Sequence, residues 1–301
     1  MRVAITGSTG LIGSALSQDL RQSGHSVLRL LRRPPQGPDE AHWDPYGEVD
    51  AQALEGLDAV VHLAGAGIGD SRWTESYRRQ IRDSRTVGTA TLAQALATLA
   101  NPPRVLVSGS SVGFYGDTGD RAVDETAPLG GGFLAGVCRD WETATAPAAE
   151  RGIRVAHART GLVLSRDGGL LGRVLPLFRL GLGGKLGGGR QWMSWISMYD
   201  QVAALRFLID HDELTGPVNL TAPEPVTNAD YTRALAHAVH RPAFLTVPKF
   251  ALRAALAGFA DEGLLIGQRV LPVRLTEAGF RFRHVRLDAA LIDVLAAAKN
   301  R

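Results

Sequence analysis

The chain has 301 residues, of which 45% are hydrophobic and 21% charged, with a formal net charge of +3. That length allows one large domain or two modest ones, with ample core and the proportions of a globular rather than a disordered protein. No apolar run is long enough to span a bilayer, the first residues lack the layout of a signal peptide, and the small, scattered charge gives no support to a nucleic-acid partner. Only Lys185, Lys249 and Lys299 are lysine, and Cys138 is the sole cysteine, so an internal disulfide and a cysteine metal site are ruled out. The one close histidine pair, His237 and His240, sits at helical spacing, where a helix C-terminal turn explains it without a metal. The expectation is a cytoplasmic protein with no membrane partner.

In chain order, Val3–Ile5 reads as a short buried strand and is followed by Gly7, Gly10 and Gly13. A helical pattern then opens with Leu11, Ile12, Ala15, Leu16 and Leu20. Ser26–Leu31 reads as the second strand, ending at Arg32-Arg33-Pro34-Pro35, and Leu57–Leu63 as another, running into Ala64-Gly65. Residues 72–99 carry a long helical pattern that Gly88 should interrupt. Arg104–Ser108 is the next strand, with Gly109-Ser110-Ser111 as a small-residue turn, and Ala135–Arg151 can be helical at least up to Pro147. Arg154–Thr160 is a further strand. The alternation predicts an α/β fold, a doubly wound Rossmann sheet of parallel strands.

Composition changes near residue 165. Gly168–Gly189 is so glycine-dense that it reads as loop with short apolar pieces. Helices are expected at 201–210, 228–240, 248–272 (broken by Gly258 and Gly263) and 288–298. The predicted organisation is a Rossmann domain over 1–165, to which later segments return, and a smaller, mostly helical C-terminal part over 166–301.

The opening strand, turn and helix have the layout of a dinucleotide site. Gly7 permits the turn, Gly10 lets backbone approach a pyrophosphate, and Gly13 lets the helix pack on the strand. The free N–H groups of the first helical turn, from Thr9 through Leu11 and Ile12, then hold the anion. A dinucleotide site selective for NAD places an acid at the end of the second strand, on the ribose 2′-OH. Here Arg32 and Arg33 stand there instead, and a guanidinium binds a 2′-phosphate by charge-assisted hydrogen bonds. The predicted cofactor is therefore NADP(H). Leu63, Ala64 and Gly65 are expected to lie close to the adenosine and ribose side, and Arg85 is a candidate for a cofactor phosphate.

TGSTGLIG at the start, HLAG at 62–65 and SGSSVGFYG at 108–116 together resemble the extended and atypical short-chain dehydrogenase/reductases. Further motifs narrow the resemblance to a branch of nucleoside-diphosphate-sugar-epimerase-like proteins with its own C-terminal domain. They are Phe133-Leu134 with Trp141-Glu142, RTGLVLSRDGG at 159–169, LPLFRLGLGGKLGGGRQWMSWI at 175–196 and RVLPVRLTEAGFRF at 269–282. Some members of that branch carry the label "cell division inhibitor". The resemblance covers essentially the whole chain and implies NADP(H) binding, with Ser108 at the cofactor and a small-molecule substrate it does not name. One departure is visible: the branch's Trp-Ile-His reads Trp195-Ile196-Ser197 here.

The resemblance also implies a catalytic Tyr with a Lys four residues on, and a Ser that polarises the substrate oxygen. Ser111 matches the Ser, and Ser110 is a neighbour that could substitute for it. Taking Glu142 as the register residue puts Cys138 at the Lys position and Leu134 at the Tyr position. The residues four before Lys185, Lys249 and Lys299 are Gly181, Leu245 and Leu295, so the Tyr-x-x-x-Lys pair is absent from the chain. Three readings follow. The protein is a reductase with a substituted acid (Tyr115 or Cys138), an NADPH-dependent sensor or scaffold acting on a protein partner, or a sugar-nucleotide enzyme with altered chemistry. Tyr115 also reads as packing beneath the cofactor loop, and Cys138 as an inert buried residue. Trp192, Met193 and Trp195 line either a substrate pocket or the junction between domains, and Arg159 and Asp200 read as structural links.

Overall fold

Short apolar runs separated by helical periods build a seven-stranded, all-parallel sheet in the computed structural model, which describes residues 1–296. The strands are β1 (Arg2–Thr6), β2 (Ser26–Leu31), β3 (Glu40–His42), β4 (Ala59–His62), β5 (Val105–Ser111), β6 (Arg154–Thr160) and β7 (Gly216–Leu220). Their spatial order is β7-β6-β5-β4-β1-β2-β3. The chain reverses direction across the sheet between β1 and β4, and the carboxyl ends of those two strands open the crevice where such sheets take ligands.

Helices cover both faces, as parallel strands buried on two sides require. The longer helices are α1 (Leu11–Gln22), α2 (Glu75–Ala97), α3 (Phe133–Thr143), α4 (Gly169–Arg179), α5 (Met198–Asp210), α6 (Asn228–Ala238), α7 (Lys249–Leu256) and α8 (Leu287–Ala296). On one face α1 and α5 pack Leu16, Leu20, Leu205 and Leu208 onto Val3, Ile5, Val61 and Val107. On the other, Leu92 and Leu96 of α2 meet Ala4, Val60 and Leu106. A third core joins Leu171 and Phe178 of α4 to Trp195, Tyr231 and Leu291 beneath the C-terminal helices.

Four local expectations are corrected. Gly88 does not interrupt α2, because a Cβ there would come within 3.2 Å of Pro45 and 3.4 Å of Trp43; the glycine makes room for packing rather than breaking the helix. Gly109–Ser111 is not a turn: β5 runs to Ser111, with Gly109 paired to Ala158 and Ser111 to Thr160. The glycine-dense stretch contains α4, whose buried Leu171, Leu175 and Phe178 recur at helical spacing behind the glycines. The region 248–272 is also shorter in helix than expected, with α7 ending at Leu256 and a short strand at Arg269–Val270. The last two residues of the expected 288–298 helix lie outside the described residues.

Candidate functional site

The first strand ends in Thr6, whose side chain fastens two turns together. Its Oγ1 accepts from Leu63 N at 3.1 Å and Ala64 N at 3.2 Å, and lies 2.7 Å from His62 Nδ1. With its lone pairs so occupied, the hydroxyl donates to Nδ1, which places the imidazole proton on Nε2. His62 is fully buried against the edge of Trp43, and burial pulls its pKa down to about 4. Neither Thr6 nor His62 is a predicted site residue; the HLAG run carried the only signal for the histidine.

This lock brings the Gly7 turn against the 63–65 turn. Gly7 has φ +65°, and a Cβ on it would fall 2.8 Å from Leu63 backbone. A Cβ on Gly13 would fall 2.2 Å from Gly7 O, so α1 starts in direct contact with the turn. Gly10 caps α1 without a side-chain bond, and Thr9 and Gly10 are exposed. Among the described residues, the N–H groups of Leu11, Ile12 and Gly13 meet no acceptor, and the buried Ser8 Oγ has no partner. The result is a cluster of unpaired donors at a helix start.

The two arginines that follow β2 separate in role. Arg33 donates to both carboxylate oxygens of Glu40 at 2.8 Å, and Glu40 also meets Arg29, its register partner across β2 and β3. The Arg33 hydrogen bonds, with Gln36 N, hold the Glu40 carboxylate down at about 2. Arg33, expected at the cofactor, is thus tied to an acid that the sequence order does not place beside it. Arg32 is exposed and makes no ion pair or hydrogen bond among the described residues.

Beyond β4, Arg85 of α2 donates to Ala66 O at 2.9 Å and to Ile81 O at 3.1 Å, with its guanidinium 5.1 Å from the Trp141 ring centroid. A Cβ on Gly65 would sit 3.4 Å from the Arg85 guanidinium carbon. No carboxylate pairs with Arg85 among the described residues, and burial lowers its pKa from the ordinary value. Cys138 lies within its electrostatic reach, and burial pushes that thiol up to about 12.

At the end of β5, Ser108 is buried with its hydroxyl on Gly109 O, and Ser110 donates to Glu142 at 2.7 Å. Ser111 Oγ accepts from Gly113 N at 3.1 Å and is only half-buried. Arg159 binds both oxygens of Glu142 at 2.8 Å, donates to Tyr115 OH at 3.0 Å and stacks 3.4 Å from the Phe114 ring centroid. Tyr115 OH in turn donates to Asn219 Oδ1 at 2.7 Å, and burial raises its pKa. Tyr115 is therefore enclosed in a finished network rather than aimed at open space. Leu134, at the position the resemblance gives to Tyr, donates its N–H to Glu262 Oε2 at 2.8 Å, so a carboxylate from the C-terminal part caps α3.

Trp195 is fully buried, and Trp192 donates to Asp120 at 2.9 Å beneath Arg269, so both indoles are engaged by other parts of the chain. Ser197 caps α5 by accepting from Asp200 N at 3.1 Å, and its Oγ lies 2.9 Å from His284 Nδ1. Asp200 accepts from Arg283 N and His284 N at 2.8 and 3.0 Å, and His284 Nε2 reaches Asp293 at 3.0 Å. An imidazole thus stands beside Ser197, where the related branch carries its own histidine. It clasps α8 to α5, and the fully buried Ser197 oxygen offers no open nucleophile.

Comparison with known proteins gives the same outline. Residues 3–220 match the NAD dependent epimerase/dehydratase family, and residues 247–294 match a domain of unknown function, DUF1731. An epimerase family protein of Mycobacterium bovis is 53% identical over 290 residues, covering 96% of each chain. The crystal structure of human epimerase family protein SDR39U1 (isoform 2) with NADPH superposes with a TM-score of 0.91 at 33% identity, covering 100% of both chains. The nucleoside-diphosphate sugar epimerase from Corynebacterium glutamicum gives 0.82 at 38% identity, over 99% of this chain and 58% of that one.

Proposed function

The chain belongs to the NAD dependent epimerase/dehydratase family, and from that premise we propose that it binds NADP(H) in preference to NAD(H) and transfers hydride to or from a small carbonyl or sugar-nucleotide substrate. The observation that carries the reading is Arg32, a guanidinium free of any acid at the end of β2. The carboxylates that follow, Asp39 and Glu40, are already paired with Arg21, Arg29 and Arg33, which offsets their repulsion of a 2′-phosphate. The unpaired N–H groups of Leu11, Ile12 and Gly13 suit a pyrophosphate, and the crystallised human relative was solved with NADPH.

NADPH supplies a hydride equivalent when bound. The chain's own contribution to chemistry is then Ser111 and Arg85. Both adjoin Cys138, and a hydroxyl beside an unpaired cation can polarise a substrate oxygen without a Tyr-Lys pair. A second reading, an NADPH-dependent sensor acting on a protein partner, is favoured by one observation: Tyr115, Glu142, Arg159 and Asn219 satisfy one another and leave no proton carrier free.

The test is a fluorescence titration with NADPH and NADH, on the natural chain and on Arg32→Ala. The expected result is NADPH preference that falls by roughly tenfold to a hundredfold in the variant, the value of a charge-assisted contact of about 1.5–3 kcal/mol. Equal affinity for both nucleotides would sink the assignment of Arg32. Ser111→Ala separates the two functional readings: it abolishes NADPH consumption on a carbonyl panel while binding persists if the protein is a reductase, whereas a sensor consumes none in either form.

A further inference from the structure

Two stretches of the C-terminal half contain no carboxylate: residues 168–199, between Asp167 and Asp200, and residues 231–260, between Asp230 and Asp261. Each carries four Arg or Lys side chains. Three of these pair with acids from outside the stretches, Arg173 with Asp70, Arg233 with Asp230 and Arg253 with Asp261. Arg179, Lys185, Arg190, Arg241 and Lys249 have no carboxylate partner among the described residues. The fold sets the two stretches side by side. Gly184–Leu186 pairs in parallel with Leu245–Val247, and Arg241 Nε donates to Arg179 O at 3.2 Å.

The same two stretches hold seven of the thirteen large hydrophobic side chains exposed among the described residues: Leu177, Leu180, Leu182, Tyr199, Phe244, Leu245 and Phe250. Phe244, Phe250 and Leu180 are the three most exposed of all, at 91, 75 and 72%. Single exposed apolar residues need no explanation, but a cluster of this kind marks a surface that something covers. A second copy of the chain is a poor occupant, because it would bring an equally acid-free, basic face against this one. The occupant must supply negative charge. It must also accept side chains that protrude rather than line a groove, which a rigid protein does only with matching holes and a bilayer interface does by deforming.

We propose that this face docks on the surface of an anionic phospholipid bilayer. Phe244, Phe250 and Leu180 enter the headgroup boundary while Arg179, Arg241 and Lys249 meet lipid phosphates. This amends the expectation of no membrane partner, which rested on the lack of a spanning run; no helix of the described chain is long and apolar enough to cross a membrane, and surface docking needs none.

The test is co-sedimentation of the full chain with vesicles of phosphatidylcholine alone, and with vesicles in which a third of the lipid is phosphatidylglycerol. Binding is expected only to the anionic vesicles and should weaken as salt rises. The Phe244→Ser/Phe250→Ser variant should bind at least about tenfold more weakly, because two apolar insertions are lost. Arg241→Ser/Lys249→Ser should weaken binding in the same direction. Both pairs are exposed, so an unchanged unfolding midpoint and unchanged NADPH titration verify that the fold is kept. No sedimentation with anionic vesicles, or equal sedimentation of the aromatic variant, would overturn the proposal. A dimer by light scattering that the aromatic variant abolishes would also overturn it, and would give the face to a second copy.

Discussion

At the glycine turn, Leu11, Ile12 and Gly13 keep N–H groups without acceptors and Arg32 keeps an unpaired guanidinium. Around Tyr115, by contrast, Glu142, Arg159 and Asn219 leave no charge unmet. Both regions sit at carboxyl ends of strands in one sheet, yet the first keeps unmet donors and the second is closed on itself. Unmet donors are tolerable where water or a ligand reaches them, whereas a buried charge without a partner is not. The contrast separates what the protein binds from what holds its sheet to its C-terminal part.

The largest expected effect comes from breaking the closed region. Arg159→Met leaves the largely buried Glu142 carboxylate without its cation, held only by Ser110, and should cost about 3–5 kcal/mol, read from urea unfolding. Adding Glu142→Gln should recover part of that loss. A cost below about 1 kcal/mol would mean that water reaches the pair and that the region is not closed.

His62 belongs to the glycine-turn region, since it ties β4 to the end of β1, and its effect is next in size. The folded state holds it neutral down to about pH 4, while the unfolded chain protonates it near 6.5. Below 6.5 the unfolded state binds the extra proton, so the stability this residue contributes is present above pH 6.5 and lost as pH falls toward 4. The whole loss is about 3 kcal/mol. In His62→Asn the acid limb of the stability curve should flatten over that window; an unchanged limb would place the loss on other groups.

Gly13→Ala tests the receptive region. Its Cβ would press on the Gly7 carbonyl, which is backbone and cannot swing away, so α1 must shift at a cost of about 1–3 kcal/mol and NADPH binding should fall with it. Gly131→Ala, where a Cβ meets nothing within 4 Å, is the control and should leave both unchanged. Equal behaviour of the two variants would remove the packing argument for Gly13.

The strand, glycine turn and helix at the start of the chain were legible in the sequence because their signals are local. Three glycines between a strand and a helix, and two arginines after the next strand, act within a few residues of one another. What the sequence order concealed is long-range. Glu40 captures Arg33 because β3 lies beside β2, and Glu262 reaches α3 from far along the chain. Glycine count hid α4, since composition outweighed the spacing of Leu171, Leu175 and Phe178. Thr6 and His62 escaped notice for a similar reason: each is an ordinary strand residue until the register sets them opposite each other.

Cys138 gives the smallest and most discriminating test, because it occupies the position the resemblance reserves for a catalytic Lys. A lysine there would bring a second cation toward Arg85; a thiol does not, and it accommodates burial by staying protonated. With its pKa pushed up to about 12, the thiolate is scarce at neutral pH. Alkylation of the folded protein should therefore be slower than that of a free cysteine by roughly a thousandfold, and become ordinary in urea. Cys138→Ala removes one buried sulfur from the face of α3 and should cost about 1 kcal/mol, leaving NADPH affinity unchanged. Rapid labelling of the folded chain, or loss of carbonyl reduction in Cys138→Ala with binding intact, would instead make the thiol the proton carrier. Arg85 would then be its activating cation, and the catalytic weight would pass from the Ser111 hydroxyl to the sulfur.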